Sequence, residues 1–156
     1  MDKRLWAVAI SGIVAIAGAC ASTLPGEPAP GERLFFALQI DDGEKVIARP
    51  KLVGDAGRPI TMNLVDPLHP GESKVALELR PEKDGDGYRV HVRLVLPGMA
   101  HAATGELALL HGEERSVPLD PSGSPVTVKL MLMRVKSPEF DAFMELARRH
   151  LADSAS

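Results

Sequence analysis

Apolar and polar residues alternate along much of the chain between residues 34 and 135, and this constrains the fold more than any other feature. The pattern is most regular in YRVHVRLVL (88–96), where every second residue is Tyr, Val or Leu and Arg or His fills most positions between. Successive side chains of a strand point to opposite faces, so one face packs and the other meets water. The alternation predicts antiparallel strands around one apolar core.

The same alternation defines eight predicted strands. Their segments are LFFALQI (34–40), KVIARPKLV (45–53), ITMNLV (60–65), KVALELR (74–80), YRVHVRLVL (88–96), ATGELALL (103–110), RSVPL (115–119) and VTVKLMLMRV (126–135). Pro50 has no N–H to donate, which predicts an edge strand or a bulge in the second segment. We therefore expect a mainly β domain over residues 34–136, an antiparallel β-sandwich or curved sheet of about seven to eight strands.

A helix is predicted over residues 137–151. Ser137 is a suitable N-cap and Pro138 suits the first helical position. Apolar residues then recur at helical spacing and form one stripe, which consists of Phe140, Phe143, Met144, Ala147 and Leu151. A stripe of this kind packs on a neighbouring apolar surface, so we expect the helix to lie on the sheet.

The last predicted strand is apolar on both faces near its end. Met131, Met133 and Val135 lie on the face opposite its core residues. Two interpretations follow. Either the helix stripe covers these methionines, or Met131 and Met133 form an adaptable partner-binding patch, a use that suits methionine.

The first nineteen residues have the layout of a signal peptide. MDKR is followed by LWAVAISGIVAIAGA, which carries no charge. A basic start, an apolar run and a small-residue exit are typical of secretory signals, whereas a membrane-spanning helix needs about 20 apolar residues. A soluble helix would need a polar face, which this run lacks. We predict a signal peptide over residues 1–19.

The lone cysteine follows directly. Ala17-Gly18-Ala19-Cys20 resembles the lipobox of bacterial lipoproteins, with Ala17 where leucine is more frequent. That resemblance implies cleavage between Ala19 and Cys20 and lipid attachment to Cys20. An ordinary signal peptidase would cut the same bond, so plain cleavage stays open as the alternative. Cys20 has no second cysteine with which to form a disulfide, and no catalytic signature surrounds it.

Residues 20–33 are predicted to hold the lipid site and a tether. ASTLPGEPAPGE (21–32) contains three prolines and two glycines, a composition typical of extended linkers. A segment without any spacing role would have the same composition. The lipoprotein resemblance also implies a location in the cell envelope. Ala21 resembles the residues that permit sorting to the outer membrane, which in a diderm cell would place the domain in the periplasm.

Charge and aromatic content exclude some partners. Removing residues 1–19 takes out Lys3, Arg4 and Asp2 and leaves 137 residues with a net charge of −4. Five aromatic residues remain, Phe35, Phe36, Tyr88, Phe140 and Phe143. Nucleic-acid binding needs a clustered basic face or aromatic residues on which bases stack, so we expect no nucleic acid among the partners.

Catalytic motifs are weak throughout. Asp84 and Asp86 stand beside glycines, but Tyr88 and Val95 occupy later positions where a calcium loop needs oxygen ligands, so a hairpin turn is favoured. GESKV (71–75) approaches a nucleophile elbow, but Val75 replaces its last glycine and a strand follows. The sequence contains no phosphate-binding loop and no dinucleotide fingerprint. We predict a protein that is not an enzyme and needs no cofactor.

Three histidines recur every ten residues. His91, His101 and His111 could converge on a metal ion, with Glu113 as a further ligand. No pair among them has the short spacing of known zinc motifs. We predict that the chain holds no metal, and these histidines are weak candidates for metal ligands.

Residues 48–96 bear a weak resemblance to the strands of bacterial secretin domains. The matching residues, within ARPKLVGDAGRPITMNLV and ALELRPEKDGDGYRVHVRLVL, are Pro50, Leu52, Val53, Gly57, Ile60, Leu77, Leu79, Pro81, Asp86 and Val90. The resemblance covers about a third of the chain and implies a shared β-architecture at the envelope, with no pore and no transferable functional residue.

These features together favour a lipid-anchored envelope protein that binds a protein partner or assists assembly. Two alternatives stay open. The first is a small metal-binding or hydrolytic envelope protein that uses the three histidines. The second is an inhibitor of a periplasmic hydrolase that acts through a hairpin loop, either 82–87 or 111–115.

Overall fold

The structure, a computed structural model, describes residues 31–119 and 126–154. These ranges contain nine strands and one helix: β1 (Arg33–Asp42), β2 (Lys45–Ala48), β3 (Lys51–Asp55), β4 (Ile60–Asp66), β5 (His69–Asp84), β6 (Gly87–Val95), β7 (Ala103–Leu109), β8 (Glu114–Leu119), β9 (Val126–Arg134) and α1 (Pro138–Ser154). The predicted mainly β fold with a carboxy-terminal helix is confirmed. The predicted signal peptide and the tether up to Pro30 lie outside the described residues.

The strands form two antiparallel sheets. In the first sheet the order is β2-β1-β9-β8, and β3 also pairs with β1. In the second sheet the order is β4-β5-β6-β7. The chain passes from one sheet to the other at two corners, between β3 and β4 and between β7 and β8. The fold is therefore a sandwich of two sheets. The outer faces of the two sheets differ in whether the helix packs on them.

The core lies between the two sheets and consists of the inward residues that the alternation predicts. In β6 these residues are Tyr88, Val90, Val92 and Leu94, all essentially inaccessible to water. In β9 they are Val126, Val128, Leu130 and Leu132. Burial of one such side chain contributes about 1.5–3 kcal/mol. Because the chain has no disulfide framework, this apolar burial is what stabilises the sandwich.

Pro50 divides the second predicted strand in two, which accounts for nine strands rather than eight. β2 pairs with the last residues of β1, from Ile40 onward, and β3 pairs with the first five, Arg33–Ala37. Between them the Leu38 N–H donates to the Pro50 carbonyl at 2.9 Å. Since β2 and β3 have no further neighbour in the sheet, the prediction that Pro50 lies at an edge is confirmed.

Two glycines allow the sheets to approach closely at the corners. A Cβ on Gly54 would lie 2.4 Å from Ile60 Cδ1, where β3 turns into β4. A Cβ on Gly105 of β7 would lie 2.5 Å from Leu119 Cδ2 of β8. Both distances are too short for real contacts, so a side chain at either position would force the facing Ile60 or Leu119 side chain to move.

The helix lies on the outer face of the first sheet. The ring centroid of Phe35 is 5.3 Å from that of Phe140 and 5.4 Å from that of Phe143. Ser137 caps the helix as predicted, since its Oγ accepts the Phe140 N–H at 3.1 Å. The packing involves only the first part of the predicted stripe, because Leu151 is 72% exposed. Among the described residues, no helix is long and apolar enough to cross a membrane.

Candidate functional site

One end of the sandwich is closed by a polar cluster where the chain enters the first sheet. The Tyr88 hydroxyl donates to the Glu32 carboxylate, Arg134 Nε lies 3.1 Å from Glu32 Oε1, and Lys83 Nζ lies 3.6 Å from Glu32 Oε2. We call these four residues the Glu32 clamp and this end of the sandwich the Glu32 end. β1 begins at Arg33, so Glu32 lies within the range predicted for the tether, residues 20–33.

The electrostatics of the clamp follow from these contacts. The hydrogen bond from Tyr88 lowers the pKa of Glu32, the positive charges of Arg134 and Lys83 lower it further, and desolvation opposes them. The pKa of Arg134 is raised, first by its hydrogen bond to the Tyr88 hydroxyl. Because its members come from β5, β6, β9 and the residue before β1, the clamp joins both sheets to the start of the domain.

The outer face of the second sheet carries a shallow groove of about 610 Å3. We call it the charged groove. Its ionisable side chains are Glu78, Arg80, Glu82, His91, Arg93 and Glu106. They occupy the outward positions of β5, β6 and β7, the wet positions of the alternating pattern. No helix covers this face in the described part of the chain, whereas α1 covers part of the other sheet.

Strand register sets the order of charges in the groove. Glu78 pairs with Arg93 and Arg80 with His91 across β5 and β6, and His91 pairs with Glu106 across β6 and β7. Opposite charges at directly facing positions contribute roughly 0.2–1 kcal/mol to a sheet. The sequence shows which residues face outward, but only the strand order brings these three strands together.

Several groove residues already have partners within the chain. Arg80 Nε lies 2.5 Å from Glu78 Oε1, and His91 Nδ1 lies 3.0 Å from Glu106 Oε2. Within the described ranges, Arg93 and Glu82 take part in no ion pair or side-chain hydrogen bond. A free guanidinium can bind a carboxylate through two hydrogen bonds, so Arg93 is the group most available to an acidic ligand.

A smaller hollow of about 250 Å3 lies at the Glu32 end. Asp84 and Asp86 at the β5–β6 turn line it together with Glu113 of the β7–β8 loop and Arg115 of β8. The predicted hairpin turn at residues 84–87 is confirmed, with Asp84 paired to Gly87 and Gly85 at a φ of 57°. The two loops considered for an inhibitory role, 82–87 and 111–115, are thus neighbours.

The three candidate histidines lie in separate surroundings. His91 lines the charged groove, His101 is exposed in the loop before β7, and His111 accepts the Arg134 N–H at its Nδ1 over 3.0 Å. His111 Nε2 also lies 3.0 Å from Glu139 Oε2 at the start of α1. No group of three or more His, Cys, Asp or Glu side chains in the described ranges is placed to hold a metal ion. The alternative in which the three histidines converge on a metal ion is therefore not found in this part of the chain.

The remaining candidates are placed as follows. Met133 is buried beside Phe35, its partner in the β1–β9 register, and Met131 is half-buried. A partner could reach Met131 more readily than Met133, and the partner-binding role of the pair stays a prediction. GESKV lies within β5. Ala19 and Cys20, the predicted cleavage and lipid sites, lie outside the described residues.

Comparison with known proteins adds no functional residue. A scan against protein-family models, a search of curated proteins and a search of solved structures find no match to this chain. The resemblances to a lipobox and to secretin strands therefore stay predictions that rest on the quoted residues.

Proposed function

We propose that this chain is a lipid-anchored protein of the cell envelope that binds a protein partner, or assists an assembly, through its charged groove. The anchor is Cys20, and the domain carries out a binding role. The observation that carries the proposal is the groove itself, an uncovered face where Arg93 and Glu82 are unpaired among the described side chains.

The Glu32 clamp supports an anchored arrangement. It holds the first described residues of the chain against both sheets, so a pull on the preceding segment acts on a fixed point of the domain. The eleven residues between Cys20 and Glu32, at about 3 Å each, would let the domain lie roughly 33 Å from the bilayer. The groove runs along a side of the sandwich, where such a linker leaves it accessible.

The shape and charge of the groove favour a protein partner. It is broad and shallow, whereas pockets for small molecules are enclosed and mainly apolar. Its acidic and basic groups alternate, a pattern that a partner with complementary side chains could match and that would give specificity and faster association. A phosphate backbone would require one dominant positive sign, which the groove does not have.

The inhibitor hypothesis stays a prediction and receives less support. Its two loops, 82–87 and 111–115, lie at the Glu32 end, where the linker joins the domain. With an anchor at Cys20, the linker would enter the domain on the same side as these two loops. The groove, in contrast, begins at Glu82 beside that end and extends along β5, β6 and β7 to Glu78 and Arg93.

Crosslinked pull-down from membranes tests the partner. We expect the wild-type chain to capture a specific envelope protein and Arg93→Glu to lose it, because the substitution places a carboxylate where the free guanidinium lies. Arg148→Glu is the matched control, since Arg148 is an exposed arginine of α1 whose pairing partner Glu145 keeps Arg149. Equal capture by all three chains would contradict a role for the groove.

The anchor has a separate test. Mass spectrometry of the mature amino terminus should find a lipid on Cys20, and globomycin should cause the unprocessed chain to accumulate. A soluble protein with an unmodified Cys20 would overturn the anchor and leave the groove hypothesis to the pull-down.

A further inference from the structure

Three of the four sheet edges are protected against pairing with another strand. On the first sheet, the β2–β3 edge is broken at Pro50, and β8 contains Pro118, which has no N–H to donate. On the second sheet, Leu119 and Val117 of β8 lie across Gly105 of β7. Proteins blunt their edges with such features because an open edge is a template for another chain.

β4 has neither proline nor charge along its regular edge, and β3 approaches it at its first residue, Ile60, beside Gly54. From Ile60 to Val65 it contains no charged residue and no proline. Thr61 and Asn63 point outward and alternate with the core-facing residues Ile60, Met62 and Leu64. Val65 is 39% exposed near the end of the strand. The regular part of the edge is Ile60–Leu64, since the pairing with β5 becomes irregular after Leu64.

The outer half of the β4–β5 hairpin extends beyond the rest of its sheet. β5 pairs with β6 only from Ala76 onward, so residues 69–75 have β4 as their sole strand neighbour in the described chain. Leu68 at the tip is 82% exposed. Pro70 and Lys74 blunt the free side of β5 in this outer half. The regular edge of β4 lies opposite the part of β5 that already pairs with β6, so it is the open edge of the four-stranded sheet.

We propose that β4 pairs with β4 of a second copy of this chain in the antiparallel direction. A two-fold axis at Met62 places Ile60 opposite Leu64 and Thr61 opposite Asn63. Apolar residues then face apolar residues, and polar residues face polar ones. The paired stretch carries no charge, so no like charges face each other within it.

Pairing in this way joins the two second sheets into one sheet of eight strands. Residues opposite each other in a sheet point to the same side, so both charged grooves lie on one continuous face. Five residues of edge make a small interface, and the dimer is therefore concentration-dependent. If the proposed lipid anchor is present, confinement to a membrane raises the local concentration and favours the dimer.

The mass of the full chain in mild detergent, measured by light scattering over a range of concentrations, tests this pairing. The wild-type chain should shift from monomer to dimer as its concentration rises. Thr61→Lys and Asn63→Lys should each weaken dimerisation by about tenfold, since each places two ammonium groups near the two-fold axis. Both positions face outward, so circular dichroism should show the wild-type fold.

Ser116→Lys is the matched control, because it adds the same charge to the exposed face of β8, at an edge of the other sheet. It should dimerise as the wild type does. The proposal is overturned if the wild type stays monomeric at every concentration, or if Thr61→Lys and Asn63→Lys dimerise as well as Ser116→Lys. A different protein captured on β4 in place of a second copy would also overturn it. Because none of these measurements involves Arg93, they are independent of the groove hypothesis.

Discussion

The hydroxyl of Tyr88 donates a hydrogen bond to the carboxylate of Glu32, a residue 56 positions earlier in the chain. The ring of Tyr88 belongs to the apolar core, while its hydroxyl reaches the polar Glu32 end. One side chain thus connects the interior of the sandwich to the point where the chain enters it. The same hydroxyl lies 3.3 Å from Arg134 Nε, which adds β9 to the connection.

Tyr88→Phe should destabilise the domain by about 1 kcal/mol. The substitution keeps the ring in the core but removes the bond to Glu32, and a hydrogen bond to a charged group contributes up to about 3 kcal/mol when buried. We expect less than this maximum because the Glu32 side chain is 41% exposed. Urea denaturation measures the change. An unchanged midpoint would mean that water replaces the hydroxyl without loss.

Stability should fall with acid, in part through Glu32. Its pKa in the folded domain lies below the ordinary value of 4.5, mainly because Tyr88 donates to the charged form. A lowered folded pKa adds stability that is fully present above 4.5 and is lost as the pH falls through the folded pKa. Glu32→Gln should therefore be less stable than the wild type at neutral pH and nearly equal to it in acid.

Urea midpoints of both chains across this range measure the difference. Both chains should also lose some stability in acid that does not depend on Glu32, because the pKa values of Glu113 and Glu139 are lowered as well. Parallel pH profiles for the two chains would contradict a contribution from Glu32.

Phe35→Ala should release the helix from the first sheet. Phe35 is buried against Phe140 and Phe143, and replacing a buried phenylalanine by alanine costs about 3–5 kcal/mol. We expect the free energy of unfolding to fall by about 3 kcal/mol and proteolysis within α1 to become faster. Leu151→Ala is the control, since this exposed side chain should change stability by less than about 0.5 kcal/mol. Equal protease resistance in both variants would contradict docking through Phe35.

The sequence predicts the fold well because each strand shows its own alternation. Phe35 illustrates the limit of local patterns, since it breaks the alternation of β1 and its partner Phe140 lies 105 positions later. The division at Pro50 depends on how β1 shares its edge between two strands, which the segment 45–53 does not reveal by itself. The prolines and glycines next to Glu32 place it in the predicted tether, whereas its partners come from three distant strands.

The alternation of apolar and polar residues also predicts part of the candidate site, namely which residues of β6 face outward. Arg89, His91 and Arg93 alternate with core residues, so their exposure follows from β6 alone. The neighbours of His91 and Arg93 in the groove follow from strand order, which no local pattern contains. The even spacing of His91, His101 and His111 suggested convergence, but the strands and loops between them carry the three rings to different places.

His111 provides the last prediction, because it connects the β7–β8 loop to both β9 and α1. Its Nδ1 accepts the Arg134 N–H, so Nε2 carries the proton and donates to Glu139, and this bond is the main cause of the lowered pKa of Glu139. His111→Ala would leave the Arg134 N–H without its acceptor and α1 without this contact. We expect a loss of about 1 kcal/mol, faster proteolysis at the start of α1, and a pKa of Glu139 closer to its ordinary value of 4.5.

Urea denaturation, limited proteolysis and carboxyl NMR titration measure these three effects of His111→Ala. His101→Ala is the matched control, since His101 is exposed and makes no side-chain contact of this kind in the described structure. A purely local role for His111 would change stability but leave both the Glu139 titration and the cleavage of α1 unaltered. His111 and Glu139 are 28 positions apart in the chain. A change in the Glu139 titration and in the cleavage of α1 would therefore show that His111 connects the loop to the helix.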